Sequence, residues 1–188
     1  MTAVTETTTR DLLAQIDDLR RQIAEIRDRV PEEKAAIIVF SGDLDKLLAS
    51  LVIATGAATA GLETTMFFTF WGLSALKKKS VPPPKGTTLK EKMFAMMTPS
   101  STESMGVSKL NFFGMGASML RAMMKEKNVS SVEEMMALAR ELGVKMIACT
   151  MSMDVMGVTR EQLADDIELG GVATFMGEAA RARFSLFV

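Results

Sequence analysis

A single cysteine, Cys149, carries the most distinctive chemistry in this chain of 188 residues. It follows the apolar run 144–148 and precedes a Met-rich segment, 150–157. If the run is a strand of a parallel sheet, Cys149 lies at its carboxyl end, where open α/β sheets bind ligands. A helix that begins there, capped by Ser152 or a neighbour, would stabilise a thiolate. The spacing indicates a reactive thiol, and the alternative is the small buried hydrophobic residue that a free cysteine commonly is.

The residue types that the chain lacks exclude several kinds of site. With no His there is no Ser-His-Asp triad, no His general base and no His metal ligand. One Cys makes neither an intramolecular disulfide nor a Cys₄ zinc site. A peroxidase would need a second molecule to resolve the sulfenic acid of Cys149. Sulfur transfer to a partner thiol is the simpler chemistry.

Thioether sulfurs raise one alternative, a copper site. The chain has 17 Met, most of them between Met93 and Met176, and sulfur ligands suit Cu(I). The candidate ligands are Cys149, Met151, Met153 and Met156. Met residues also recur at helical spacing far from the cysteine, which favours packing, so we predict no metal site.

Charge and glycine patterns exclude other partners. The formal net charge is −1, from 22 Lys and Arg against 23 Asp and Glu, which argues against nucleic acid. Gly114 and Gly116 lack the third glycine of a dinucleotide motif, because position 119 is Met, and no cofactor is predicted. The amino terminus lacks a basic region followed by an apolar stretch, so we expect a cytoplasmic protein.

Residues 1–31 are predicted to form an amphipathic helix with a coiled-coil seam. Its apolar residues follow spacings of four and three: Leu12, Ile16, Leu19, Ile23, Ile26 and Val30. β-Branched residues at one core position and mostly Leu at the other favour a parallel two-stranded coil with an identical chain. The alternative is a helix that packs on the chain's own globular body. Pro31 disfavours helix at the residue before it.

Strands and helices alternate over residues 34–188, which predicts an α/β domain with a mostly parallel sheet covered on both faces. The predicted strands are 35–40, 64–70, 144–149 and 184–188. The predicted helices are 44–61, 89–97, 114–128, 131–142, a short one from 159, and 172–181. Residues 77–88, with four Lys and three Pro, are predicted to form an exposed linker or flap. Its basic triplet, Lys77-Lys78-Lys79, is expected to be solvated.

The apolar stretch 47–76 is long enough to suggest a membrane span. Glu63 lies near its middle, and Gly61 and Glu63 divide it into pieces of helix and strand size. We therefore expect a globular core there rather than membrane association.

Five segments resemble one known family. They are Ser41-Gly42-Asp43, 68–73 (FTFWGL), 105–116 (MGVSKLNFFGMG), 148–157 (ACTMSMDVMG) and 170–174 (GGVAT). In this order they are similar to the DsrE/DsrF-like family, most of all to its second DsrE-type subgroup, often labelled peroxiredoxin-like. The resemblance covers residues 34–188 and leaves residues 1–31 outside.

The resemblance implies a DsrE-like, flavodoxin-type three-layer sandwich that forms homo-oligomers and carries sulfur on one cysteine. Cys149 matches that position. In such proteins the thiolate accepts sulfane sulfur from a rhodanese or a TusA-type donor, holds it as a persulfide and passes it on. One departure is Thr150, where many relatives have Gln. The function predicted is a sulfur carrier or sulfurtransferase subunit, and the alternative is a non-catalytic oligomeric interaction module with a structural cysteine.

Nine residues are predicted to surround the thiol: Ser41, Gly42, Asp43, Phe70, Trp71, Gly72, Met151, Ser152 and Asp154. Phe70 and Trp71, with the Met-rich loop, are expected to shelter the bound sulfur. Asp154 is expected to cap the following helix, because a carboxylate facing the thiolate would oppose its ionisation. Lys109 and Lys145 are weak candidates for a compensating cation, since Lys145 shares a strand face with Cys149 but lies two pleats away.

Overall fold

The computed structural model describes residues 2–78, 105–109 and 115–188. The chain divides into two compact units, Met1–Glu32 and Glu33–Val188. The helices in the described part are α1 (Thr2–Arg29), α2 (Leu44–Thr59), α3 (Met115–Glu126), α4 (Val132–Glu141), α5 (Thr150–Met156) and α6 (Val172–Ala179), with 3₁₀ helices at Phe70–Leu76 and Arg160–Gln162. The strands are β1 (Glu32–Val39), β2 (Glu63–Phe68), β3 (Lys145–Cys149), β4 (Glu168–Gly170) and β5 (Ala182–Phe187).

The first unit is dominated by α1, which ends two residues before Pro31. The Val30 amide still donates a hydrogen bond to the carbonyl of Ile26, 3.0 Å away. Ion pairs within the helix join residues three apart, Asp17 with Arg20 and Asp18 with Arg21. The predicted amphipathic helix is therefore present, and its pairing with a second chain stays a prediction.

The second unit contains a five-stranded sheet in the order β4-β3-β2-β1-β5. β1 to β4 pair in parallel, with Ile37 opposite Met66 and Cys149 opposite Gly170. The Val188 amide donates to the Ile38 carbonyl at 2.9 Å, and the Val188 carbonyl accepts from the Phe40 amide at 2.8 Å, which is the parallel pattern. The predicted parallel α/β fold is confirmed.

Side chains alternate between the two faces of this sheet, and each face has its own buried cluster. One cluster joins Ile37, Met66 and Met146 of the strands to residues of α2, α4 and α5. The other, smaller cluster contains Ala36, Phe67, Ile147 and Cys149 of the strands and Phe175 of α6. Helices cover both faces, which confirms the three-layer sandwich.

Local sequence explains where several elements begin and end. α4 starts with the predicted capping box, in which the Ser131 amide donates to the Glu134 carboxylate at 2.8 Å and the Glu134 amide donates to the Ser131 hydroxyl at 3.2 Å. Gly143 follows the helix with φ of 76°, a left-handed conformation that glycine adopts at little cost. α4 and β3 therefore lie close to their predicted positions.

Two elements near the carboxyl edge are not predicted. β4 has only three residues, Glu168–Gly170, too few to show alternation. The predicted strand 64–70 ends earlier, at Phe68, and continues into the 3₁₀ helix Phe70–Leu76. The residues of this 3₁₀ helix are mostly apolar and buried, as those of a buried strand are. Composition alone therefore does not distinguish the helix from a continuation of the strand.

The stretch 47–76 divides into most of α2, then β2 and the 3₁₀ helix, with Glu63 at the start of β2. In the described part of the chain, no helix combines the length and apolar character needed to cross a bilayer.

Two residues of the predicted flap 77–88 are described, and both are attached to the second unit. Lys77 forms an antiparallel bridge with Leu163, and burial lowers the pKa of its ammonium group. Lys78 pairs with Asp165 at 2.7 Å. For Lys77 the prediction of a fully solvated basic triplet is wrong, because half-burial desolvates the amine. The rest of the flap and the predicted helix 89–97 lie outside the described residues.

Candidate functional site

The carboxyl edge of the sheet brings together the segments that follow β1, β2 and β3. The Gly72 amide donates to the carbonyl of Phe40 at 2.9 Å, which joins the segments after β2 and β1. A Cβ at Gly72 would overlap the Val39 carbonyl, and one at Gly42 would lie 2.8 Å from the Trp71 carbonyl oxygen. Both glycines allow close backbone approach, and this contact brings six of the predicted site residues into neighbouring loops.

The turn after β1 satisfies its own polar groups. The Ser41 hydroxyl donates to the Asp43 carboxylate at 2.7 Å and accepts from the Asp43 amide at 3.1 Å. Asp43 also pairs with Lys46 at 3.0 Å. These contacts give Ser41 and Asp43 a structural role at the start of α2.

Aromatic side chains form a second group on this edge. The Phe40 ring lies 5.5 Å from that of Phe70 and 5.6 Å from that of Phe187, centroid to centroid. Phe70 has φ of 46°, an uncommon conformation for a bulky residue. Phe70 thus lies on the β1 side of the edge, and neither Phe70 nor Trp71 belongs to the buried cluster that contains Cys149.

Cys149 is the last residue of β3 and the residue before the first turn of α5. Its side chain points to the face that α6 covers, because it alternates with Ala148 and shares a face with Ile147. The thiol residue is 1% exposed. Cys149 therefore lies at the carboxyl end of a strand, where the sequence analysis expects it, but its side chain is buried and not open to solvent.

α6 forms the cover over that face. Phe175 of α6 stacks on Phe67 of β2 with centroids 5.0 Å apart, and it is 3% exposed. A Cβ at Gly170 of β4 would come within 2.9 Å of the Ile147 side chain and 3.1 Å of the Thr174 side chain, so a larger residue there would have to displace both neighbours. Gly170 also lies opposite Cys149 in the β3–β4 pairing.

Ion pairs fasten the far end of α6 to the same face. Glu178 accepts hydrogen bonds from Lys34 of β1 at 3.2 Å and from Lys145 of β3 at 3.4 Å. The hydrogen bond from Lys34, together with Lys145, outweighs burial and lowers the pKa of Glu178. Burial opposes charge on Lys145, but its hydrogen bonds with Glu168 and Glu178 outweigh it and raise the pKa. Lys145 thus forms ion pairs with both α6 and β4.

The sequence profile of the DsrE/DsrF/DrsH-like family matches residues 31–187. The chain belongs to this family. The chain is 44% identical over 156 residues to the uncharacterized protein YrkE of Bacillus subtilis, which covers 83% of this chain and 97% of that protein.

This chain is also similar to the sulfur carrier protein DsrE2 of Allochromatium vinosum. It is 33% identical over 168 residues, covering 84% of this chain and 99% of the relative. Among solved structures, the ychN protein of E. coli superimposes with a TM-score of 0.52 at 14% identity, covering 84% of this chain and all of that one. That likeness supports the fold.

The three predicted residues on α5 occupy two different environments. Ser152 is buried and its hydroxyl lies 2.7 Å from that of Thr69, so it joins α5 to the residue that follows β2. Met151 and Asp154 are exposed. The prediction that Asp154 caps the helix is wrong, because α5 begins at Thr150 and Asp154 lies inside it; no side chain caps its start.

The sulfur atoms proposed for copper do not share one environment. Met151 is 55% exposed, whereas Met153 and Met156 belong to the cluster on the opposite sheet face from Cys149. Among the residues that the structure describes, no three His, Cys, Asp or Glu side chains could hold a metal ion together. The arrangement therefore gives copper binding no support.

Phe67, Phe175 and Glu178 are the residues of this site that the sequence interpretation missed. The signal for Phe175 was present in the segment 170–174, where two glycines open a helix whose fourth residue after Gly171 is aromatic. The Phe175 amide donates to the Gly171 carbonyl at 3.2 Å, which is the first turn of that helix.

Proposed function

We propose that this chain acts in sulfur trafficking and carries sulfane sulfur as a persulfide on Cys149. The observation that carries the proposal is the position of the lone thiol at the carboxyl end of β3 in a domain of this family. The 33% identical relative named as a sulfur carrier supports the general role. The expected partners are a rhodanese or a TusA-type carrier, and the expected location stays the cytoplasm.

The chemistry needs one thiolate and no cofactor. The Cys149 thiolate attacks the terminal sulfur of a donor protein's persulfide, the donor's S–S bond breaks, and the donor cysteine leaves as a thiolate. A new S–S bond on Cys149 then holds the sulfane sulfur. Attack on that sulfur by an acceptor thiolate reverses the roles and frees Cys149. No net oxidation or reduction occurs in either step.

Access to the thiol requires movement of an element, and α6 is the element that covers it. β4, which leads into α6, has only three residues and lies at the edge of the sheet. Short edge strands and the helices that follow them open at lower free energy than a central strand. Displacement of α6 would uncover Cys149 while leaving β1, β2 and β3 paired.

The surface around α6 is suited to contact with a donor or acceptor protein. Two apolar side chains of α6 itself, Val172 and Met176, are exposed on the helix that covers the thiol. A partner that covers these side chains would gain apolar burial and could stabilise the open position of α6. In the closed position, the same burial protects a persulfide from small thiols.

Mass spectrometry of the intact full chain tests the proposal. After incubation with polysulfide, the wild type should gain the mass of whole sulfur atoms, and a dithiol reductant should remove it. Cys149→Ala is the matched control, because the chain has no other cysteine and alanine leaves no unsatisfied hydroxyl in the apolar site. Failure of folded wild type to gain sulfur, when the same thiol reacts after denaturation, would refute the carrier.

One observation favours the second candidate, a non-catalytic interaction module. Cys149 is 1% exposed and lies among apolar side chains, as a structural cysteine would. In that case the folded chain would resist both polysulfide and alkylating reagents, and Cys149→Ala would bind the same partner proteins as wild type.

A further inference from the structure

α1 lies outside the family domain and needs a role of its own. The family match begins at residue 31, and α1 ends at Arg29. The apolar seam of α1 consists of Leu12, Ile16, Leu19, Ile23, Ile26 and Val30, each between 44% and 62% exposed. An apolar stripe that runs along three heptads of a polar helix is typical of a helix that pairs with another helix.

We propose that the seam of α1 binds the same seam in a second copy of this chain, as a parallel two-stranded coiled coil. Ile16, Ile23 and Val30 occupy one core position, and these β-branched residues favour two strands. The other core position holds Leu12, Leu19 and Ile26. The spacing repeats without interruption, so the two helices align residue for residue.

The charges beside the seam support the parallel orientation. Arg20 and Arg27 flank one side, and Gln15 and Gln22 flank the other. In a parallel pair each arginine faces a glutamine of the second chain, whereas an antiparallel pair brings the two rows of arginines against each other. Like charges at that distance are unfavourable. Arg20 also pairs within its own helix with Asp17 at 3.5 Å.

The coil would join two family domains by their amino-terminal ends without using the sulfur site. Three heptads make a short coil, and a helix of this length is marginal alone in water. The fraction of paired chains is therefore expected to rise with protein concentration. The coil does not involve Cys149. A test of the coil can therefore fail while the proposed function holds, and the reverse.

Position-specific disulfide formation in the full chain tests the coil. The background is Cys149→Ala, which removes the one native thiol. Ile16→Cys and Ile23→Cys each place a thiol in the seam, and Ala14→Cys is the matched control on the outer face of the same helix. Under mild oxidation both seam variants should form disulfide-linked dimers at least about tenfold faster than the control, because pairing raises the local thiol concentration.

The pattern of bonds decides orientation as well as pairing. An antiparallel pair brings at most one seam position close to its own copy, so fast bonding at only one of the two seam positions would overturn the parallel coil. Equal rates at the seam and at position 14 would overturn the coil itself. Adding Leu19→Asp to Ile23→Cys should remove the fast bond, whereas adding Ala24→Asp on the outer face should leave it.

Discussion

The rings of Phe67 and Phe175 stack at 5.0 Å with their planes 28° apart, which joins the strand β2 to the helix α6. Both side chains belong to the buried cluster that contains Cys149. Since a carrier thiol must be reached by another protein's sulfur, the strength of this contact is expected to set how often the thiol becomes available.

Phe175→Ala should make Cys149 more reactive. Truncating a buried phenylalanine typically costs about 3–5 kcal/mol, and much of that cost falls on the attachment of α6. Every 1.4 kcal/mol changes an equilibrium by about tenfold, so alkylation of the native thiol should accelerate at least about tenfold. The measurement is the rate of iodoacetamide labelling by intact mass, at a temperature where circular dichroism shows both proteins folded.

Met176→Ala is the matched control for that experiment. Met176 follows Phe175 on α6 but is exposed, so its truncation leaves the buried cluster intact. Its labelling rate should stay near that of wild type. Equal rates for Phe175→Ala and Met176→Ala would show that α6 does not control access.

The sequence could predict the sheet but not the environment of the thiol. Continuous apolar runs identify β1 and β3 because both faces of those strands are buried, and the step from Ala148 to Cys149 places the sulfur at the carboxyl edge. Which helix covers a given face depends on strand order. The order places β5 beside β1, and the connection through α6 therefore crosses the face that carries Cys149.

Several predicted site residues have contacts that the sequence alone does not indicate. Ser41, Gly42 and Gly72 do lie at the carboxyl edge, yet their contacts serve turns and close backbone packing. The role of Ser152 depends on a partner 83 residues away, Thr69, and one chain position gives no signal of such a hydrogen bond. Long-range pairs of this kind decide whether a polar residue is structural or functional.

Glu178→Gln should loosen α6 in a pH-dependent way. The folded-state pKa of Glu178 lies below its ordinary value of 4.5, so its stabilising contribution is present above pH 4.5 and is lost as the pH falls through the folded-state pKa. Lys145 has a raised pKa, so its contribution is present below pH 10.5 and is lost as the pH rises through the higher folded-state value. Near neutral pH the variant should lose about 1 kcal/mol.

Urea unfolding near neutral pH and at acidic pH measures this difference. Wild type and Glu178→Gln should differ near neutrality and converge as Glu178 becomes protonated. Glu63→Gln is the control, because Glu63 is exposed and lies 3.9 Å from Lys34, and it should cost less than about 0.5 kcal/mol. A constant difference between Glu178→Gln and wild type at all pH values would contradict the ion-pair explanation.

Gly72→Ala should destabilise the fold severely. The added Cβ would overlap the Val39 carbonyl, and backbone cannot give way as a flexible side chain can, so we expect a loss of more than about 3 kcal/mol. Gly56→Ala is its counterpart, since a Cβ there meets nothing within 4 Å on the exposed side of α2. That change should raise stability by about 0.5–1 kcal/mol. Thermal unfolding of both variants would separate steric overlap from a general intolerance of glycine replacement.

A double-mutant cycle on Thr69 and Ser152 should show that their hydroxyl contact is structural. Ser152→Ala alone leaves the buried Thr69 hydroxyl without this partner and should cost about 1–3 kcal/mol, whereas Thr69→Val with Ser152→Ala removes both polar groups and should recover part of that loss. The free energy of unfolding of the four proteins gives the coupling. Polysulfide loading of Cys149 in the folded double variant should match wild type. A loss of loading with stability recovered would instead place one of these hydroxyls in the sulfur chemistry, since packing alone would then no longer explain the pair.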